Sequence, residues 1–163
     1  MKFRWARHSN IWWTMQSFFK LTLVCVASLA GLVPAEAGEP SEAVRPFYLQ
    51  PGLELEMLAR DRFIDPARKI LDQNDEIRQG GDEGCLDPAL PFNDSDYDPA
   101  VVVQTLKLSE VATGDEATVV ATFMAAGDAH SVQWRLRNVD DEWKIFDIVS
   151  LSKDWALSRF QCE

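Results

Sequence analysis

The clearest pattern of hydrophobic and polar positions lies in the second half of the chain, where apolar side chains recur at every second residue. Val132, Trp134 and Leu136 alternate with two arginines and a glutamine, as in a strand with one buried face and one wet face. Comparable segments predict four strands, at residues 101–108, 117–126, 130–139 and 142–149. Gly-Asp and Asp-Asp pairs in the short connections are typical of tight turns, so we expect an antiparallel meander.

In the first half of the chain the apolar residues recur at the spacing that is typical of helices. Asp65 as N-cap and Pro66 at the first position precede an apolar face that ends at Gly80-Gly81, which predicts a helix over residues 66–79. A shorter helix is predicted from Ser41, carrying Phe47 and Tyr48, with Pro46 either in its first turn or breaking it. The fold class is therefore α+β, with N-terminal helices packed on the concave side of a curved, four-stranded antiparallel sheet in a cone-like arrangement.

An export signal is predicted at the N-terminus. Thirteen residues without a charge, 21–33, follow Lys20 and precede Ala35-Glu36-Ala37, the small-residue pattern that signal peptidase cleaves. The apolar segment would span roughly 20 Å as a helix, too little to cross a membrane stably. We expect residues 1–37 to be the signal, with Met15 as an alternative start, and 38–163 to be a single domain in the periplasm or outside the cell.

The charge balance narrows the choice of partners. The signal contains four of the 16 basic residues and one of the 26 acidic ones, so the net charge changes from −10 to −13 when it is removed. An acidic surface repels nucleic acid and anionic lipid head groups, so neither is expected as a partner. Strong net charge also favours a monomer or at most a weak homodimer.

Two of the three cysteines are expected to form a disulfide. Cys25 lies in the signal, which leaves Cys85 and Cys162 as a pair in an exported chain. Cys85 lies in a loop rich in Gly, Pro, Asp and Asn, residues 80–99, which the bond would fix. The chain has no C-x-x-C spacing, so a structural bond is favoured over a redox-active thiol.

The order of these elements resembles that of a known superfamily. Short helices with Phe47-Tyr48, the acidic loop with Asp87-Pro88-Ala89-Leu90 and a meander that ends in residues 143–148 are similar to the α+β cones of the nuclear-transport-factor-two-like (cystatin-like) superfamily. Within it, the chain most resembles a domain-of-unknown-function family of small exported bacterial proteins. The resemblance covers most of residues 43–150.

The resemblance implies where chemistry would lie. Enzymes with this cone often place an Asp, or an Asp with a His, in the cavity as a general base. The alternation Trp143, Ile145, Asp147 places Asp147 on the apolar face, where desolvation would raise its pKa; the alternative is a structural acceptor at the sheet rim that bonds a backbone amide or Tyr48. His130, at a turn, is expected to be solvent-exposed.

Cones of this shape commonly hold a ligand, and Tyr48, Trp134 and Trp143 are the candidates to line an apolar cavity, with core packing as the alternative. Asp94, Asp96 and Asp98 alternate as calcium ligands do, but Pro99 stands where an EF-hand needs Gly, so only a weak calcium site or a solvated loop remains. The acidic residues of helix 66–79 are interpreted as solvated, namely Asp72, Asp75 and Glu76.

No zinc spacing, nucleophile elbow or phosphate loop occurs in the sequence, and no cofactor is expected. The function most consistent with these patterns is a non-catalytic binding module of the cell envelope, whose partner is a protein or a small apolar ligand. The alternatives are a small hydrolase or isomerase with Asp147 as base, and an inhibitor or immunity protein that covers a basic partner.

Overall fold

A computed structural model describes residues 39–93 and 96–162; the predicted export signal lies outside the described residues. The helices are α1 (Glu39–Val44), α2 (Pro46–Leu49), α3 (Ala67–Gln79) and α4 (Pro99–Thr105), and the strands are β1 (Lys107–Thr113), β2 (Glu116–Ala125), β3 (Asp128–Val139) and β4 (Glu142–Ser150). Short 3₁₀ turns cover Leu53–Leu55, Met57–Arg62, Leu90–Phe92 and Leu157–Arg159. The predicted α+β class, with helices on a four-stranded antiparallel sheet, is confirmed.

The sheet has the sequential order β1-β2-β3-β4, and each neighbouring pair is antiparallel. Its last hairpin turns at Asp140 and Asp141, whose φ angles of 54° and 63° lie in the left-handed region. Two such residues in succession match the right-handed twist of the flanking strands, and Asp tolerates this conformation better than most residues. The turn chemistry therefore fixes the pairing of Val139 with Glu142.

The first predicted strand was wrong over most of its length, because residues 99–105 form α4. Asp98 caps this helix by accepting a hydrogen bond from the Ala100 amide at 2.8 Å, and Pro99 occupies the first helical position. These two start signals outweigh the strand preference of three consecutive valines. Strand β1 consequently begins only at Lys107.

The helical layer departs from the prediction at its start. Pro46 has no amide hydrogen to donate, and the predicted first helix is divided at Arg45 into α1 and α2. Ser41 lies buried inside α1 instead of capping it. In α3 no side chain caps the first turn, so Asp65 is not the N-cap, although the helix ends at Gln79 as predicted.

Helix α3 holds the following loop through Asn74, which is buried. Its Oδ1 accepts a hydrogen bond from the Leu86 amide at 3.0 Å. A Cβ atom on Gly84 would lie 2.3 Å from that same oxygen, so only glycine lets the loop approach the helix this closely. Of the three acidic residues of α3 that the sequence analysis interpreted as solvated, Glu76 is exposed and Asp72 is about half exposed, but the interpretation was wrong for Asp75, which is largely buried. Asp72 and Asp75 both pair with the buried guanidinium of Arg60.

An aromatic cluster fills the space between helices and sheet. Tyr48 is fully buried, and Trp134 Nε1 donates a hydrogen bond to its hydroxyl at 3.0 Å. Ring centroids of Phe92 and Phe123 lie 5.8 and 5.4 Å from that of Tyr48, and Phe47 lies 4.9 Å from Trp134. At these separations the rings are in contact, so this part of the interior is packed.

The outer edge of β4 is covered by two other parts of the chain. Phe63 and Ile64 pair with Ile145 on one half, and Ala156 pairs with Val149 on the other. The C-terminal segment then crosses to α3, where Cys162 is joined to Cys85 by a disulfide with a Cα–Cα distance of 5.6 Å. The pairing along β4 leaves no open edge on this strand, and the disulfide holds the end of the chain.

We predict that replacing both Cys85 and Cys162 by Ala lowers the free energy of unfolding by about 2–4 kcal/mol, since the bond closes a span of 77 residues. Urea unfolding of the oxidised protein and of the variant measures the difference. Reductant should lower the wild type to the level of the variant and leave the variant unchanged. Alkylation of both thiols in the folded, non-reduced protein would contradict the bond.

Candidate functional site

Asp147 lies on the face of the sheet opposite to the one that the alternation predicted. A bulge shifts the register of β4 between two pairs, so that Leu136 faces Ile145 whereas Arg135 faces Asp147. Phe146 is the extra residue, and beyond it Ile148 takes the place in the core. A bulge of one residue inverts every later side chain, and strict alternation cannot reveal it.

Asp147 is nevertheless only 3% exposed, because the C-terminal segment covers it. Its Oδ1 accepts hydrogen bonds from the amides of Ile148 and Ser158 at 3.0 and 2.9 Å. Its Oδ2 accepts from the Ser158 hydroxyl at 2.9 Å and lies 3.5 Å from Arg135 Nη1. These contacts engage both carboxylate oxygens with donors and fix the tail, a geometry that favours a structural acceptor over a general base.

The three aromatic candidates for a ligand cavity do not meet at one place. Tyr48 and Trp134 bond each other inside the aromatic cluster, where burial raises the pKa of the Tyr48 hydroxyl. Trp143 lies at the start of β4, half-buried, beside a surface groove that Leu58 and Arg62 also line. The ligand-binding role of these residues stays a prediction.

The acidic loop is described only in part, since Asp94 lies outside the described residues. Asp96 is exposed, and Asp98 caps α4 with its side chain. Over residues 39–93 and 96–162 no three His, Cys, Asp or Glu side chains are grouped as metal ligands. A calcium site at this loop remains a prediction that depends on Asp94.

His130 was predicted to be exposed, and this was wrong, because only 7% of it is accessible. It pairs with Phe123 on the core face of the sheet, and the two rings stack at 5.8 Å. Asn93 Nδ2 lies 3.3 Å from His130 Nδ1. The strand actually begins at Asp128, so the alternation already points His130 inward where a turn would have left it in water.

The sequence analysis missed Glu54, a fully buried carboxyl group in the turn Leu53–Leu55. Among the described residues neither of its oxygens has a hydrogen-bond partner. Burial raises the pKa of Glu54 to about 8; its own backbone amide opposes the rise, and the nearby Asp87 carboxylate adds to it. A carboxyl group in this setting holds its proton at neutral pH.

Glu54 also affects its neighbours. Its charge contributes to raising the pKa of Tyr97, after burial and before Asp87. Tyr97 stacks on Phe92 with centroids 4.1 Å apart, which extends the aromatic cluster toward the acidic loop. No motif marks Glu54; the only signal in the sequence is a Glu between Leu53 and Leu55, directly after the Pro51-Gly52 turn.

An exposed apolar patch follows Glu54 along the chain. Leu58 is 93% exposed and Met57 is 64% exposed; these two residues are called the 57–58 patch. Leu58 lines two surface grooves of about 370 and 400 Å³, one against the end of α3 and one against Trp143.

In the described part of the chain no helix is long and apolar enough to cross a membrane.

We predict that Glu54 makes the protein less stable as the pH rises. The folded pKa near 8 lies above the ordinary value of 4.5, so the folded state binds more protons than the unfolded state in this interval. The contribution of this group to the free energy of unfolding is complete below pH 4.5. It is lost as the pH rises through about 8, at about 1.4 kcal/mol per pH unit.

The Glu54→Gln variant cannot ionise at this position and keeps the shape of the side chain. Its free energy of unfolding relative to that of the wild type should therefore increase from pH 4.5 to about 8. Urea unfolding at several pH values measures the difference, and Glu56→Gln on the exposed neighbour is the control without this trend. A constant difference between Glu54→Gln and wild type from pH 4.5 to 8 would contradict a buried, protonated Glu54.

We predict that Asp147→Asn lowers the free energy of unfolding by about 1–3 kcal/mol, because an amide cannot accept hydrogen bonds at both of its ends. Asp154→Asn is the matched control: Asp154 forms an exposed ion pair with Arg159 on the same tail, and its loss should change stability by less than about 0.5 kcal/mol. Equal stabilities of the two variants would rule out a structural role for Asp147.

The chain was also compared with known proteins. No protein-family model and no curated protein matches it. Among solved structures, it is similar to a chain from the crystal structure of the type VI native effector-immunity complex Tae3-Tai3 of Ralstonia pickettii. The match has 18% sequence identity and a TM-score of 0.48, and it covers 76% of this chain and 98% of the other. A likeness at this level supports no inference about function.

Proposed function

We propose that this protein is an exported, non-catalytic module that binds a protein with a basic contact surface through the 57–58 patch. The observation that carries the proposal is the exposure of Leu58, at 93%. A leucine in water forgoes roughly 1.5–3 kcal/mol that its burial would provide. Beside a second exposed apolar residue and between two grooves, it has the form of an anchor that a partner covers.

The surroundings of the patch fit a protein interface. Charged side chains of both signs line the two grooves, among them Glu56, Asp61, Arg62 and Arg78. An apolar centre with a polar rim is the usual composition of a specific protein contact. The net charge of −13 without residues 1–37 supplies long-range attraction to a basic partner.

The alternatives receive less support. The contacts among the rings around Tyr48 and Trp134 give less support to a ligand between them, and the bonded oxygens of Asp147 disfavour a role as base. A more specific proposal is that the protein is an inhibitor or immunity protein whose basic partner is a toxin.

The family and the compartment are also proposals. Short helices ahead of a four-stranded meander support membership of the nuclear-transport-factor-two-like cones. The disulfide supports an oxidising compartment.

We predict that a photo-crosslinking residue at position 57 gives a discrete adduct in the cells that make the protein, while the same residue at position 111 does not. Val111 is a suitable control because it is 71% exposed but lies on β1, away from the patch. Mass spectrometry should identify a basic partner. Identical products at both positions, or none at position 57, would argue against the proposal.

Leu58→Asp should weaken binding of the identified partner at least about tenfold, since central apolar anchors dominate interface energies. Its own stability should change by less than about 0.5 kcal/mol, because the side chain is exposed. High salt should weaken binding further if the acidic surface attracts the partner. Protection of cells from the partner's toxicity would establish the immunity role.

A further inference from the structure

One of the two grooves beside Leu58 has an aromatic side chain in its wall. It has a volume of about 400 Å³ and is lined by β4, by α1 and by the turn Met57–Arg62. Trp143 of β4, Ala43 of α1 and Leu58 of the turn are its apolar residues, and Asp61 lies in the same turn. We call it the Trp143 groove. Because Leu58 belongs to both, a partner that covers the 57–58 patch also reaches this groove.

The pairing of β4 shows which of its side chains faces the helical layer. Trp143 pairs with Asn138 and lies two residues before Ile145, which is in the core, so it points to the face of the sheet that the helices cover. Glu142 and Lys144 border the groove but belong to the alternate set, and their side chains bond each other. The indole ring is therefore the side chain that β4 presents to Ala43 and Leu58.

Trp143 differs from the other aromatic residues of the described chain in having no ring contact. Every other Phe, Tyr and Trp that the structure describes contacts a second ring, except Phe146, which lies under the guanidinium of Arg137. Neither kind of contact is found for Trp143 among residues 39–93 and 96–162. A half-buried indole at the wall of a groove is thus left for a group from outside the chain.

A carboxylate projects beside Leu58 toward the same groove. The turn Met57–Arg62 is a 3₁₀ helix, in which residues three apart project in the same direction. Asp61 therefore lies next to Leu58, whereas Ala59 and Arg60 between them are buried. Asp61 is exposed, and within the described part of the chain it forms no hydrogen bond or ion pair. Its charge is available to a partner that covers Leu58.

We propose that the Trp143 groove binds an arginine side chain of the partner protein, whose guanidinium stacks on the Trp143 indole and pairs with the Asp61 carboxylate. Tryptophan is the ring that attracts cations most strongly. A planar guanidinium can stack on a ring and donate parallel hydrogen bonds to a carboxylate. This inference rests on the proposed function, which supplies the basic character of the partner, and it adds the side chain that the partner places beside Leu58.

Arg62 is a positive charge that opposes this binding. It lines the same groove and is exposed, and in a 3₁₀ helix it is rotated by about 120° from Asp61. An incoming guanidinium is attracted by Asp61 and repelled by Arg62. Loss of either charge should therefore change the affinity for a cation, in opposite directions.

The test uses N-acetyl-arginine amide and N-acetyl-citrulline amide as probes, which have the same shape and differ in charge. At equal ionic strength, the arginine probe should shift the Trp143 indole ¹H–¹⁵N resonance in a saturable manner, with a Kd on the order of 10–100 mM. The neutral citrulline probe should bind at least about fivefold more weakly. Absence of a saturable shift up to about 300 mM, or equal affinities for the two probes, would overturn the proposal.

Three variants locate the guanidinium. Asp61→Asn should weaken binding of the arginine probe about two- to fivefold, and Arg62→Gln should strengthen it about 1.5- to threefold. Asp65→Asn is the matched control, because Asp65 is an exposed carboxylate four residues further on that does not line the groove; it should change the affinity by less than about 1.5-fold. Equal losses in the two Asp variants, or weaker binding in Arg62→Gln, would mean that the guanidinium does not lie at Asp61.

The titration with these probes does not involve the partner, so its failure is distinct from failure of the proposed function. A discrete adduct at position 57 without binding of the arginine probe would overturn the arginine site and leave the protein-binding function in place. Binding of the arginine probe without an adduct at position 57 would contradict the protein-binding function, and with it the assignment of the arginine to a partner protein.

Discussion

The hydrogen bond between Trp134 and Tyr48 joins the helical layer to the centre of the sheet, and the rest of the interior is arranged around it. Both side chains are fully buried, so each polar atom would carry a desolvation cost without the other. The rings of Phe47, Phe92 and Phe123 pack around this pair from three different parts of the chain. These ring contacts agree with the surface location that we propose for the binding site.

The same packing determines the chemistry of Glu54. The turn that leaves α2 places this carboxyl group beside the aromatic cluster, where it can neither reach water nor find a partner among the described residues. The protein tolerates the group by keeping it protonated, which replaces a buried charge with a smaller desolvation cost. The nearby Asp87 is exposed, and its carboxylate adds to the rise in the pKa of Glu54.

Local sequence signals predicted most of the fold. Period and turn chemistry placed α3 and three of the four strands within a few residues, since these signals act within one element. The errors arose where a second feature prevailed over the local pattern. The helix start at Asp98-Pro99 outweighed the strand preference of three valines, and a bulge in the pairing of β4 with β3 placed Asp147 on the other face of the sheet. Glu54 and the neighbours of His130 could not be predicted, because their environment comes from residues distant in sequence.

The surface proposed for binding lies at one end of the sheet and apart from the packed interior. Trp143, beside the 57–58 patch, pairs with Asn138 near the end of β3. Four residues of an extended strand separate Asn138 from Trp134, the centre of the aromatic cluster, by roughly 13 Å. A partner on the 57–58 patch therefore meets the rim of the sheet, and the close packing of the interior leaves little freedom for a second arrangement on binding.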